Sequence, residues 1–130
     1  RNYLKNKLIL GGAQIGMDYG YKSEKIIKTN QLIKIFDLMK NQKINGIDTA
    51  QGYQLSENKI GDNIKTSNFK KNIFLFNKIS EFPNISKIQN NSLIARIYAN
   101  IYLSMYNLKT FYIDVIMFHS VKNFFEKKKY

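Results

Sequence analysis

Gly46-Ile47-Asp48-Thr49-Ala50-Gln51-Gly52-Tyr53 closes an apolar run on an acid and follows it, five residues later, with a phenol at the start of a loop. Ser56-Glu57 and Ile60-Gly61 come next and read as a short helix through Ile64, with Ser56 as its N-cap. Two later apolar runs also end in one ionisable side chain. Residues 73–77 lead into Lys78, and residues 113–118, with Asp114 near the start, lead into His119. Short apolar runs bounded by turn and charged residues predict buried strands. Here Lys70-Lys71-Asn72 bounds the third strand on one side.

The segments between these runs have a different period. Leu32, Ile35, Phe36 and Met39 recur at helical spacing after Thr29 or Asn30, either of which suits an N-cap, and the stripe fades near Asn41. Glu81-Phe82-Pro83-Asn84 predicts a turn. Ser92 then caps a long helix that carries Ile94, Ile97, Tyr98, Ile101, Met105 and Leu108. At the front, Leu8-Ile9-Leu10 enters Gly11-Gly12-Ala13-Gln14, where glycines after a strand let backbone approach a ligand. Asp18-Tyr19-Gly20-Tyr21 reads as loop, and the tail from Phe124 reads as the start of a helix. The order is β-loop-α-β-α-β-α-β, which predicts an α/β fold with a parallel sheet and right-handed crossovers.

Composition narrows the function classes. A chain of 130 residues with 44% hydrophobic content supports one modest folded domain over residues 1–130. Lys and Arg number 21 against 9 acids, a formal charge of +12, and the only arginines are Arg1 and Arg96. Lys, Ile and Asn enriched together read as compositional bias more than as selection for a polyanion. A basic nucleic-acid-binding domain stays open as an alternative, against which stand the spread of the charge and the lack of a zinc-finger, RNP or KH signature. The absence of cysteine excludes disulfides, thiolate catalysis and Cys-zinc sites, and no metal site is expected. No apolar run approaches the roughly 18–20 residues of a membrane span. The first residues lack a signal-peptide core, so a cytoplasmic address is expected. The missing initial Met reads as a lost N-terminus or an excised piece.

In parallel α/β folds, ligands bind at the carboxyl ends of strands. Asp48, Lys78 and His119 all fall there, and Tyr53 is within reach of the same rim. Each residue alone has a bland reading: a loop acid, one of nine tyrosines, a solvated lysine, a lone histidine. Together they suit carbonyl reduction, which needs a proton on the developing alkoxide. A free phenol, with a pKa near ~10, is a reluctant acid at neutral pH, and a neighbouring ammonium favours its phenolate. Lys78 could supply that ammonium, Asp48 could hold it, and His119 could orient the substrate oxygen.

This constellation resembles the aldo-keto reductase family over residues 7–120. The resemblance implies an NADP-dependent oxidoreductase on a (β/α) barrel of TIM-barrel type, with only the first four βα units present. It implies a catalytic tetrad of Asp48, Tyr53, Lys78 and His119, with Tyr53 as general acid. Gly12, Ala13 and Gln14, together with Asp48, become cofactor-binding candidates, with NADPH as the cofactor and a small carbonyl compound as the substrate. The opening Leu-Ile-Leu-Gly-Gly-Ala-Gln with Asp18-Tyr19-Gly20 is similar to bacterial members often found near surface-sugar biosynthesis, which implies a sugar-like substrate.

Three features depart from the family pattern. Gln54 follows the tyrosine where Gly is frequent, Lys43 stands where many members have a helix-ending Gly, and a full barrel takes about 250 residues. Half a barrel leaves two sheet edges open, which invites self-association. A portion of a longer reductase is the simpler expectation, and a truncated, inactive remnant serving as an interaction module is the alternative.

Overall fold

The computed structural model describes residues 4–22, 25–65 and 72–128. Lys70, Lys71 and Tyr130, read above as a strand flank and part of the tail, lie outside them. The elements run β1 (Ile9–Gly11), α1 (Ala13–Gly16), α2 (Thr29–Asn41), β2 (Gly46–Ala50), α3 (Ser56–Lys65), β3 (Phe74–Ile79), α4 (Asn90–Asn107), β4 (Val115–Phe118) and α5 (Val121–Lys128). Single 3₁₀ turns occupy Gln51–Tyr53 and Ile85–Lys87. The four strands form one parallel sheet in chain order, β1-β2-β3-β4. Consecutive parallel neighbours joined through helices are the expected outcome of a repeated βα rhythm.

Two apolar clusters hold the layers together. The larger joins Leu32, Phe36 and Met39 of α2 to Ile47 of β2, Ile60 and Ile64 of α3, Leu75 of β3, and Leu108. The smaller packs Ile79, Phe82, Ile85 and Leu93, with Ile97 and Ile101 of α4 against them. Alternation along β3 sends Leu75, Asn77 and Ile79 into the buried layer, and leaves Phe74, Phe76 and Lys78 partly exposed on the other face. That second face carries the site. Among the described residues no helix is long and apolar enough to cross a membrane.

A buried carboxylate ties three elements beneath the sheet. Glu57 of α3, 1% exposed, accepts hydrogen bonds from the side-chain amides of Asn77 on β3 (2.8 Å) and Asn107 on α4 (2.9 Å). A charge this deep must be hydrogen-bonded to be tolerated, and amide donors satisfy it without a cation. Gly61 makes the same helix pair possible, since a Cβ there would come within 2.4 Å of the Asn107 carbonyl.

Several helix starts differ from the expected ones. Neither Thr29 nor Asn30 caps α2; Lys28 is the N-cap, and its N–H donates to the Gln31 side chain at 3.1 Å. Ser92 lies inside α4, whose N-cap is Gln89. Ser56 is the first residue of α3 and not its cap, because its hydroxyl donates inward to the Gly12 carbonyl at 2.7 Å. On α4 the buried side is Leu93 and Ser104 with Ile97 and Ile101 beside them, while Ile94 and Tyr98 of the expected stripe are exposed. The fourth strand begins at Val115, since the Asp114 carboxylate takes the Leu75 N–H at 2.8 Å. Lys43 adopts φ +56° at the end of α2. A non-glycine residue in that left-handed cap costs about 1 kcal/mol.

Candidate active site

The cleft lies at the carboxyl ends of β1 and β2. Its lining is Gly11, Gly12, Ala13, Gln14, Tyr19, Asp48 and Tyr53, around a volume of about 240 Å³. The register explains the convergence. Gly11 pairs with Asp48 across β1 and β2, and Ala50 pairs with Lys78 across β2 and β3. Asp48 and Lys78 therefore leave neighbouring strands on one face, and the Lys78 ammonium forms an ion pair with Asp48 Oδ1. Both side chains are partly shielded, at 34% and 20% exposed. That shielding makes the pair stronger than an open-surface contact.

Tyr53 completes the group from a turn instead of a strand. The 3₁₀ turn Gln51–Tyr53 follows β2 directly and swings the ring back over the rim. The Lys78 Nζ stands 5.5 Å from the Tyr53 ring centroid. His119, one residue past β4, meets the same ring edge-on at 5.7 Å between centroids and 75° between planes. The four sequence-predicted residues are thus brought together: Asp48 on Lys78, Lys78 by Tyr53, Tyr53 against His119.

The glycine loop is pinned to this group by buried polar contacts. The Gly12 N–H donates to the Asp48 carbonyl at 2.7 Å, and the Gly12 carbonyl accepts from Ser56 Oγ. Since Ser56 spends its proton on Gly12, Thr49 Oγ1 donates to Ser56 Oγ across 2.9 Å. A Cβ on Gly12 would strike the Asp48 carbonyl at 2.7 Å, so this close approach requires glycine. Gly11 is different: it lines the cleft with nothing within 4 Å of a built Cβ. Open space above a glycine backbone suits a flat ring. The cleft is small beside the roughly 300–1,000 Å³ of ordinary ligand sites. Among the described residues there is no cluster of three or more metal-ligating side chains.

Sequence reasoning missed Tyr19 as a lining residue. Its ring lies 6.5 Å from that of Tyr53, tilted by 44°. The loop holding it is clamped at Asp18, which accepts from the Lys25 ammonium (2.9 Å) and the Ile26 N–H (2.8 Å). The hydrogen bond from Lys25, then that from Ile26, holds the Asp18 carboxyl below the usual value of 3.8. Gln54, singled out in the sequence because glycine is frequent at this place in the resembled family, takes φ +50° and ψ −109° directly after the tyrosine.

Residues 7–126 match the family model described as the aldo/keto reductase family. No curated protein matches. Two solved structures of candidate aldo-keto reductases from Pseudomonas aeruginosa share the fold. One has a TM-score of 0.71 at 21% identity, covering 99% of this chain and 49% of its own. The other has 0.68 at 23% identity, covering 93% and 47%. An aldo-keto reductase from Bacillus halodurans in its holo form gives 0.55 at 22%, covering 89% and 38%. The chain therefore spans about half the length of the Pseudomonas structures, and its fold is a partial (β/α) barrel.

Proposed function

Because this chain belongs to the aldo/keto reductase family, we propose that it carries the proton-donating half of a nicotinamide-dependent carbonyl reductase site. The observation that supports the reading best is the contact chain Asp48–Lys78–Tyr53–His119 at one edge of the glycine-floored cleft. Tyr53 is the general acid: its hydroxyl gives a proton to the carbonyl oxygen as that oxygen gains charge. The Lys78 ammonium beside the ring stabilises the phenolate left behind, and solvent then returns the proton. Asp48 keeps the ammonium in place, a positioning role that a half-buried cation needs. His119 borders the Tyr53 ring edge-on and would hold the substrate oxygen against the phenol.

Gly11, Gly12, Ala13 and Gln14, with Asp48, would seat the nicotinamide end of NADPH, which when bound supplies the hydride to the carbonyl carbon. The substrate is a small carbonyl compound, sugar-like by the resemblance of the opening residues. The experiment is NADPH oxidation with a panel of aldehydes and sugar-like carbonyls by the full-length protein. Tyr53→Phe should cut turnover by about 10²-fold or more while calorimetry shows cofactor binding unchanged. Equal turnover in Tyr53→Phe removes this residue from the role of acid.

A further inference from the structure

Gln51 has no place in the reading above, yet it fills both ends of its amide. Its Nε2 donates to the Asn100 carbonyl of α4 at 2.7 Å, and its Oε1 accepts from Ser80 Oγ at 2.8 Å. Asn100 closes the arrangement: its Oδ1 accepts from the Ser80 N–H (3.3 Å) and its Nδ2 donates to the Arg96 carbonyl (2.9 Å). Each amide is thereby oriented, since turning Gln51 over would set its oxygen against the Asn100 carbonyl oxygen.

The positions of the tied residues matter. Gln51 opens the 3₁₀ turn that carries Tyr53, two residues on. Ser80 follows β3, two residues after Lys78. The tie therefore spans the two segments whose separation sets how the Lys78 ammonium lies against the Tyr53 ring, and α4 is the rigid body both are fastened to. β2 and β3 already fix Asp48 and Lys78 through their ladder, but Tyr53 sits beyond the last paired residue, Ala50. Besides the tie, the turn is held by chain continuity, the Ser56 end, the packing of Gly16 against the Tyr53 carbonyl and the ring contacts of Tyr53, and of these the tie is the one that fastens it to the end of β3.

We propose that Gln51 is a positioning residue for proton transfer, holding the Tyr53 turn in register with Lys78 through Ser80 and Asn100. The inference rests on the reading of Tyr53 as the acid. It differs from that reading in naming an amide that touches neither substrate nor cofactor. Displacement of a reacting group by about 1 Å is enough to cost a large factor in rate.

The test uses Gln51→Met, which keeps the stem and removes both amide partners, and Ser80→Ala, which removes one. The first readout is the Hε1 NMR resonance of His119, identified by its loss in His119→Gln. A Cβ at Gly52 would lie 3.4 Å from His119 Cε1, and the His119 ring abuts that of Tyr53, so this proton reports where the turn sits. The resonance should move in Gln51→Met, move less in Ser80→Ala, and stay in the exposed α2 variant Lys34→Met. The second readout is the kinetic split: kcat down by about tenfold or more, with KM for NADPH held, because the cofactor floor is on another loop. A resonance unmoved in both tie variants overturns the proposal, and so does a raised KM with kcat unchanged. If Gln51→Met does not fold, Ser80→Ala decides by the same readouts. If the unaltered protein reduces no carbonyl, the reductase reading fails, and the His119 resonance still decides whether Gln51 sets the turn.

Discussion

Gly16→Ala should damage the site from below. A Cβ on Gly16 would lie 1.8 Å from the Tyr53 carbonyl oxygen, 2.3 Å from the Ser56 N and 2.7 Å from Ser56 Cβ. Reaching an ordinary contact of 3.4 Å from 1.8 Å means a retreat of about 1.6 Å by the Tyr53 backbone. Backbone cannot swing aside as a flexible side chain does. Overpacking of a tight site costs about 1–3 kcal/mol, and a clash with two backbone atoms sits at the upper end. At about 2.1 cal/mol/K per residue over a chain this size, 3 kcal/mol lowers Tm by about 11 °C. The carbonyl that must retreat belongs to the proposed acid, so turnover should fall by about 10²-fold in the fraction that stays folded. Gly11→Ala is the stability control, because nothing lies within 4 Å of its Cβ. Thermal melts of both variants, with NADPH oxidation by Gly16→Ala and by the unaltered chain followed below the transition, make the comparison. A Gly16→Ala protein that melts with the unaltered chain and turns over at its rate would refute the close packing of α1 against the Tyr53 turn.

Three further outcomes follow from single contacts. Glu57→Ala strands two buried amide donors and empties their site, so it should cost about 2–4 kcal/mol, read as a fall in the urea midpoint at constant slope. Gln54→Gly relieves a conformation worth about 1–3 kcal/mol of strain against the entropy glycine adds to the unfolded chain. A net gain of about 1 kcal/mol, or about 4 °C in Tm, is expected, and a loss would contradict the observed φ and ψ. The Asp18 clamp has a defined pH window: a carboxyl held below 3.8 when folded stabilises fully above the unfolded value and loses that contribution as pH falls through its folded one. Hydrogen exchange at the Ile26 amide should stay protected as pH falls past the ordinary value of 3.8 and lose that protection only as the lowered folded carboxyl is protonated, whereas in Asp18→Asn the pH step should vanish.

The four strands, their parallel sheet and the helices between the later strands were readable from one dimension, whereas α1, directly after the first strand, was not. Continuous apolar runs such as residues 73–77 must be buried on a sheet, and a βα rhythm leaves parallel neighbours as the economical arrangement. The acid, lysine and histidine sat at run ends, where that geometry puts functional groups. Helix starts were less legible. Ser56 and Ser92 have the chemistry of caps, but a hydroxyl goes to whichever partner the fold presents, and Gly12 is 44 residues from Ser56.

Local sequence thus determined what each segment is, because periodicity and turn chemistry act over a few residues. Tertiary structure alone decided how far the segments stand from one another. The Gln51–Ser80–Asn100 tie links positions 29 and 49 residues apart, and the Tyr19 ring reaches Tyr53 from a loop with no apolar pattern. Such contacts exist only once the sheet has brought distant backbone together, and no spacing along the chain encodes them.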